Sequence, residues 1–245
     1  MSRMRVIFSL KYSGGRVVPS DSKERSETIV FQVILCLIQT GGFDLGCSHT
    51  GYNRVAWDAT TKKFVPVCLT DNMDRTAIAP NYTTIVSVDR WYTNLGSLVV
   101  APGGGFWLTS SAIRSGQPAN SDGLADVHLL HFGTGAADKN LTLASDAGLN
   151  VRAPHLAAYG PTRLIAAWET STAKGDLAMN DKNRKLYVQI VNATTGAAEG
   201  PSMNVSVSGH RYQDFRSFSD GSVAFPAAGS ANTKVKILRV LPCGS

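Results

Sequence analysis

Pro154-His-Leu-Ala-Ala-Tyr159 is followed by Arg163-Leu-Ile-Ala-Ala-Trp-Glu169 and, after a polar stretch, by Leu186-Tyr-Val-Gln-Ile-Val191. The three segments are short and rich in aliphatic, β-branched and aromatic residues, and Gly, Pro, Thr, Asn or Asp residues separate them. This pattern is typical of β-strands joined by turns. We therefore predict three strands here, with a tight turn before the second strand and a long loop before the third.

The same layout recurs on both sides of this stretch. Phe106, Leu164 and Ser222 begin the second strands of three successive units, and they are 58 residues apart in both intervals (164 − 106 and 222 − 164). An earlier unit, with strands predicted over 53–58 and 64–69, fits the pattern less closely. The remaining predicted strands of the repeats cover residues 97–101, 106–109, 127–132, 212–218, 222–226 and 235–240.

Repeats of this length, each too small to bury both faces of its own sheet, are typical of propeller blades. We predict an all-β fold, a β-propeller of four to five blades, over residues 26–245, with residues 1–25 as an N-terminal extension or first strand. Residues 26–39 offer further strand, which either completes the C-terminal unit and closes the ring or belongs to a fifth blade. The structural alternative is a β-sandwich with long loops.

The layout resembles β-propeller proteins with degenerate repeats, many of them secreted. The segments that carry this resemblance are Arg163-Leu-Ile-Ala-Ala-Trp-Glu169 and the turn Thr194-Thr-Gly196. Both are architectural, so the resemblance implies the fold and names no activity.

Two local signals refine the strand pattern. Phe218-Ser-Asp-Gly-Ser222 predicts a hairpin, because Asp-Gly tolerates the positive φ of a tight turn. Gly103-Gly-Gly105 predicts a turn before a strand. Only residues 173–179 suggest a helix, and we expect it to be short and to lie inside a loop.

The composition and charge pattern disfavour a nucleic-acid-binding protein and a membrane-spanning protein. The chain has 245 residues, 43% of them hydrophobic and 17% charged, and a formal net charge of +6. The basic residues are scattered along the chain, whereas nucleic-acid binders usually cluster them on one face, so we expect no nucleic-acid partner. The longest apolar run, residues 29–38, is too short for a membrane span, which needs about 20 residues.

The four cysteines are Cys36, Cys47, Cys68 and Cys243. No Cys-x-x-Cys pair occurs, which disfavours a thiolate zinc site. We predict a Cys47–Cys68 disulfide between adjacent strands, and a second pair, Cys36–Cys243, if ring closure joins the termini. A disulfide would place the chain in an oxidising compartment or outside the cell. The sequons at Asn81, Asn140, Asn192 and Asn204 permit N-glycosylation.

Three histidines recur in register at the beginning of first strands: His49, His155 and His210. First strands line the channel of a propeller, so these imidazoles would converge from different blades. Three imidazoles with open positions suit one transition metal ion, Cu, Zn or Fe. The structural alternative is that each histidine caps a turn or hydrogen-bonds to the backbone.

Acid–base groups and aromatic rings accompany these histidines. Tyr52, Tyr212 and Asp214 lie within a few residues of a candidate ligand and are the candidate catalytic residues, and Glu169 is a further acid–base candidate. Trp91 and Trp168 are the candidate ligand-binding residues, because indole rings stack on sugars and peptides.

Two functions follow from these features. The first is a secreted-type binding module that recognises a glycan or an extracellular protein, or a peptide or small-molecule ligand, through loops on one face, with residues 110–126 and 171–185 as its long loops. The alternative is a metal-dependent enzyme centred on the three histidines. The sequence lacks Gly-x-Ser-x-Gly, a P-loop and His-Glu-x-x-His, and therefore indicates none of the corresponding reactions.

Overall fold

The computed structural model describes residues 54–59, 62–69, 76–79, 83–87, 94–118, 123–133, 137–174, 183–207, 209, 213–228 and 235–242. All of them belong to one compact unit, Asp44–Ser245. The predicted boundary at residue 26 and the predicted strand over residues 26–39 lie outside the described residues and stay predictions. The same holds for the helix predicted over residues 173–179, of which only the first two residues are described.

The described strands form four antiparallel sheets, in each of which every strand pairs with its neighbour in the sequence. Sheet A contains β1 (Arg54–Asp58), β2 (Lys63–Leu69), β3 (Thr76–Ala79) and β4 (Thr83–Ser87). Sheet B contains β5 (Asn94–Val100), β6 (Phe106–Ile113), β7 (Ala125–Phe132) and β8 (Ala137–Ala144). Sheet C contains β9 (Asn150–Tyr159), β10 (Arg163–Ser171), β11 (Lys185–Asn192) and β12 (Met203–Asn204). Sheet D contains β13 (Arg216–Ser217), β14 (Val223–Ala228) and β15 (Val235–Val240).

The predicted all-β propeller is confirmed, and four separate sheets exclude the two-sheet sandwich. The repeat is confirmed with slightly different intervals, because β6, β10 and β14 begin at Phe106, Arg163 and Val223, which are 57 and 60 residues apart (163 − 106 and 223 − 163). Three strands were identified from the sequence in the units of sheets B and C, and each of these sheets has a fourth, outer strand, β8 or β12. The predicted loop over residues 110–126 is also shorter, because β6 continues to Ile113 and β7 already begins at Ala125.

The predicted hairpin at the start of sheet D is confirmed by its hydrogen bonds. The Phe218 amide donates to the Ser222 carbonyl at 2.9 Å, and the Gly221 amide donates to the Phe218 carbonyl at 2.9 Å. Gly221 has a φ of 79°, a conformation that glycine adopts at little cost. The first strand of this sheet is shorter than predicted, covering only Arg216–Ser217.

Hydrophobic side chains fill the space between successive sheets, so that each sheet packs face to face on the next. The A–B core includes Val67, Leu108 and Phe132. The B–C core includes Trp107, Leu129, Leu156 and Leu164. The C–D core includes Ile165, Leu186, Val188, Phe215 and Phe225. Burial of apolar area of this kind is the main favourable term in folding.

The innermost strands β1, β5, β9 and β13 contact one another in order. The starts of β7 and β9 are joined by a hydrogen bond from the Ala125 amide to Asn150 Oδ1 at 3.0 Å. The opposite end of β9 is joined to the β13–β14 turn by a hydrogen bond from the Gly160 amide to the Gly221 carbonyl at 3.2 Å. The first strands therefore run in the same direction, as in a propeller.

This common direction gives the unit two distinct ends. We call the end at which the innermost strands begin the loop face. At this end β6 and β10 end, β7 and β11 begin, and the chain passes from β8 to β9 through residues 145–149. We call the opposite end the turn face, and it carries short hairpin turns at 101–105, 160–162 and 218–222. No helix among the described residues could cross a membrane.

The turn after β11 locks sheet C onto sheet B at the turn face. Trp107 Nε1 donates to the Ala193 carbonyl at 2.7 Å, and Gly196, with a φ of 77°, lies over the indole. A Cβ atom on Gly196 would be 2.7 Å from the Trp107 ring and 2.5 Å from Leu141. Glycine is therefore required here by both backbone conformation and space.

Replacing Gly196 with alanine should lower the free energy of unfolding more than the same change at Gly116. Gly116 has a similar φ of 81° but open space around its Cα, so Gly116→Ala should cost about 1–2 kcal/mol of backbone strain. Gly196→Ala should cost about 1–3 kcal/mol more, because the new methyl group overpacks the core. Urea denaturation of both variants measures the difference, and equal losses would contradict the docking of this turn on Trp107.

Candidate functional site

Four residues on or next to the innermost strands are linked by contacts between neighbouring elements, with His155 in the middle of β9 and Asp214 just before β13. We call Arg54, Ser97, His155 and Asp214 the axial cluster. The Arg54 guanidinium donates through Nε to the Gly96 carbonyl and through Nη2 to the Leu95 carbonyl at 3.3 Å. Arg54 thereby connects the start of β1 to the start of β5.

Ser97 joins β5 to the segment before β13. Its hydroxyl donates to Asp214 Oδ1 at 3.0 Å, and its amide donates to Thr109 Oγ1 at 3.1 Å. Ser97 is 3% exposed, whereas Asp214 is half-buried. The Asp214 carboxylate is thus held from the protein side while part of it faces solvent.

His155 belongs to a stack of rings between sheets C and D. Its imidazole lies 5.0 Å from the Phe215 ring at an interplanar angle of 13°, and Phe215 lies 4.0 Å from Phe225 at 3°. His155 is 2% exposed. Because Phe215 directly follows Asp214, this stack fixes the backbone next to the Asp214 carboxylate.

Asn150 and Arg152 lie at the start of β9 and are fully buried. Asn150 Oδ1 accepts hydrogen bonds from Arg152 Nε at 3.0 Å and from the Ala125 amide at 3.0 Å. Arg152 is opposite Glu169 in the register of β9 and β10. The loop face therefore has guanidinium, amide and carboxylate groups beneath its surface.

Glu169 is the most buried carboxylate of this face, at 1% exposure. Its Oε2 accepts from Arg184 Nε at 2.7 Å and also from the second nitrogen of that guanidinium. Its Oε1 accepts from the Gly209 amide at 2.8 Å. Both carboxylate oxygens are thus hydrogen-bonded.

A second buried pair lies on sheet B. Arg114 Nη2 donates to Asp126 Oδ1 at 2.7 Å and to the Asp146 carbonyl at 2.7 Å. The hydrogen bond with Asp126 raises the pKa of Arg114. Nearby on β7, burial lowers the pKa of His128, although the Asp126 charge opposes this effect.

Only part of the predicted site lies within the described residues. His155 and Asp214 are both described and belong to the axial cluster, and their predicted metal-binding and catalytic roles stay predictions. The other candidates, His49, His210, Tyr52, Tyr212 and Trp91, lie outside the described residues, and their roles stay predictions. Among the residues that the structure describes, no group of three or more His, Cys, Asp or Glu side chains is placed to hold a metal ion.

Trp168 is described, and its ring is a core side chain at 5% exposure. It packs with Val127 and Val151 between sheets B and C and stacks on Tyr187 with ring centroids 6.3 Å apart. A ligand could reach only the small exposed part of this ring, and the ligand-binding role of Trp168 stays a prediction.

Sequence reasoning missed Arg54, Ser97, Asn150 and Arg152 as members of the loop face. A signal was present, since Arg54 and Arg152 each place a charged side chain in the first strand of a unit, where apolar residues are expected. Which groups the side chains of Arg54 and Arg152 contact becomes clear only from the packing between sheets.

No protein-family model and no curated protein matches the chain. Among solved structures, the chain is similar to an endo-arabinase from Bacteroides thetaiotaomicron VPI-5482, with a TM-score of 0.48 and 12% identity over 82% of this chain and 78% of that one. It is similar to a thermostable family-43 glycoside hydrolase, with a TM-score of 0.46 and 13% identity over 77% and 67%.

A third similar structure is an exo-1,5-alpha-L-arabinanase from a bovine ruminal metagenomic library, with a TM-score of 0.40 and 16% identity over 72% and 69%. The fold assignment rests on the sheet topology and on the packing of the innermost strands.

Two buried serines on this side of the molecule should respond differently to replacement by alanine. Ser97→Ala should lower the free energy of unfolding by about 1–3 kcal/mol, because it removes a hydrogen bond to a charged group. The Ser111 hydroxyl is buried and has no hydrogen-bond partner among the described residues, so Ser111→Ala should be neutral or stabilising. Chemical denaturation checks both, and a large loss for Ser111→Ala would indicate a bridging water or another partner.

Proposed function

We propose that the chain is a glycan-recognising β-propeller module that binds its ligand at the loop face, over the axial cluster. The observation that carries this proposal is the carboxylate of the half-buried residue Asp214, which is fixed by Ser97 and by the ring stack beside it. A carboxylate held in one orientation can accept hydrogen bonds from sugar hydroxyls without first being ordered, which lowers the entropic cost of binding.

The chemistry around Asp214 suits a hydroxyl-rich ligand. Sugar hydroxyls both donate and accept hydrogen bonds, and the loop face supplies carboxylates, guanidinium groups, an amide and hydroxyls. These groups are tied to one another across three sheets, so the face is rigid below its surface. Ligand sites are commonly loops positioned on such a scaffold. The predicted aromatic residues Trp91, Tyr52 and Tyr212 would add stacking surfaces at the same end.

The proposal includes an oxidising compartment. Cys68 is buried near the end of β2, a position that suits the predicted pairing with Cys47. Disulfides persist in secreted and periplasmic proteins, and such a location suits a protein that meets polysaccharides or surface glycans. Comparing masses before and after reduction tests the pairing.

Affinity electrophoresis in gels that contain arabinan, xylan, galactan or mixed-linkage β-glucan tests the proposed function. We expect at least one polysaccharide to retard the wild-type chain. Asp214→Asn should then weaken binding about tenfold, equivalent to about 1.4 kcal/mol, because a neutral amide is a weaker acceptor for sugar hydroxyls.

Asp220→Asn is the matched control. Asp220 lies on the turn face, where it accepts from Ser222 and pairs with Arg239, so its replacement should leave binding unchanged. Failure of all four polysaccharides to retard the chain, or equal weakening by both substitutions, would count against a glycan site over Asp214.

The metal-dependent enzyme is the second candidate, and it requires His49, His155 and His210 to share one ion. Elemental analysis separates the two functions. The enzyme requires about one transition metal ion per chain, lost in His155→Ala and retained in His128→Ala, whose side chain belongs to the third strand of sheet B. A binding module requires no bound transition metal. A purified chain without transition metal would contradict the enzyme hypothesis.

A further inference from the structure

Sheets B and C each have a buried arginine–carboxylate pair at the same place on the loop face, with the charges exchanged between strands. In sheet B, Asp126 is opposite Ala112 on β6, and its partner Arg114 comes two residues after Ala112. In sheet C, Glu169 is opposite Leu186 on β11, and its partner Arg184 comes two residues before Leu186. The carboxylate is therefore on the third strand in one sheet and on the second strand in the other.

Each pair also holds the connection that leads to the next sheet. In sheet B the arginine does this, because Arg114 Nη2 donates to the Asp146 carbonyl at 2.7 Å. In sheet C the carboxylate does it, because Glu169 Oε1 accepts from the Gly209 amide at 2.8 Å. The connection to the next sheet is thus held by a positively charged side chain in sheet B and by a negatively charged one in sheet C.

The segment that Glu169 holds leads directly to the axial cluster. Gly209 is hydrogen-bonded to Glu169 at one end, and Asp214, five residues later, is hydrogen-bonded to Ser97 at the other. Gly209 also bridges to Ala227 of sheet D. Two attachments, one on sheet C and one on sheet B, therefore lie five residues apart in the chain.

Because the pair is buried, we expect the Glu169 attachment to fix the arrangement of the backbone and to add little net stability. The Glu169 side chain is 1% exposed and that of Arg184 is 15% exposed, so both groups have lost much of their hydration. Buried ion pairs contribute little net stability compared with apolar residues, but loss of one partner leaves a charge without compensation. Such a pair favours one arrangement of the backbone over others.

From these contacts we propose that Glu169 is a positioning residue of the loop face. Its carboxylate fixes Gly209 against sheet C, five residues before Asp214 in the chain, and thereby limits where the Asp214 carboxylate can lie. Glu169 itself is buried beneath the surface and does not touch the ligand. The role of Asp214 in binding rests on the proposed function, whereas the attachment of Gly209 does not.

Amide hydrogen exchange measured by NMR tests the attachment without any ligand. Glu169→Ala removes the acceptor, and exchange of the Gly209 amide should become at least about tenfold faster. Glu169→Gln keeps a neutral acceptor and should give a smaller increase, about threefold or more. The Ala193 amide, which donates to the Thr162 carbonyl at the turn face of sheet C, should exchange at the wild-type rate in Glu169→Gln.

Arg114→Ala is the matched control, because it breaks the equivalent attachment of sheet B. It should leave the Gly209 amide at its wild-type exchange rate. If Glu169→Ala does not fold, the exchange rate of the Gly209 amide in Glu169→Gln tests the attachment. An unchanged Gly209 amide in that variant, or equal acceleration of the Gly209 and Ala193 amides, would overturn the proposal, since the second result indicates general destabilisation.

Binding supplies the readout that a purely structural residue would not change. The test uses whichever of the four polysaccharides retards the wild-type chain most. At a temperature where Glu169→Gln is fully folded, the affinity of this variant for that polysaccharide should be roughly tenfold lower than that of the wild type. Wild-type affinity in Glu169→Gln would overturn the positioning role. If no polysaccharide binds the wild type, the proposed function fails, and the Gly209 exchange rate still decides whether Glu169 holds this segment.

Discussion

The close approach of β5 and β9 is the constraint on which the loop face depends. Gly96 lies at the contact, where a Cβ atom would meet Thr109 and would be 2.5 Å from the Pro154 carbonyl oxygen. Only glycine allows two innermost strands to come this close. The approach brings Ser97 within reach of Asp214 and leaves His155 facing Phe215. A larger residue at position 96 would separate the strands and, with them, every group of the axial cluster.

Most of the fold could be predicted from the sequence, because buried strands have a strong local signature. Every residue of β6 is buried, and its apolar and small side chains mark it clearly as a central strand. The outer strand β8 was missed because it alternates half-buried and exposed residues, and Asp138, Lys139 and Asn140 make its sequence look like a loop. Outer strands need only one apolar face, so their composition approaches that of turns.

The site was less predictable, because its members come together only through packing between sheets. The repeat placed His155 at the start of a first strand and Asp214 within one, but β9 begins five residues before His155 and Asp214 precedes β13. It could not indicate that Arg54 would donate to carbonyl groups of β5, or that Glu169 would bind an amide forty residues later in the chain. The exchange of charges between the pairs Arg114–Asp126 and Glu169–Arg184 further hides the equivalence of the two sheets, since an alignment of the repeats places unlike residues together.

Pairing of every strand with its sequence neighbour has a consequence for how the chain folds. No strand of sheets B or C waits for a distant segment, so each sheet can complete its backbone hydrogen bonds from about sixty consecutive residues. The bonds that cross between sheets, such as Trp107 to Ala193, form only once the following sheet exists. During synthesis an early sheet therefore exposes one apolar face until its successor emerges from the ribosome. We expect the chain to be most prone to aggregation between the synthesis of one sheet and the synthesis of the next.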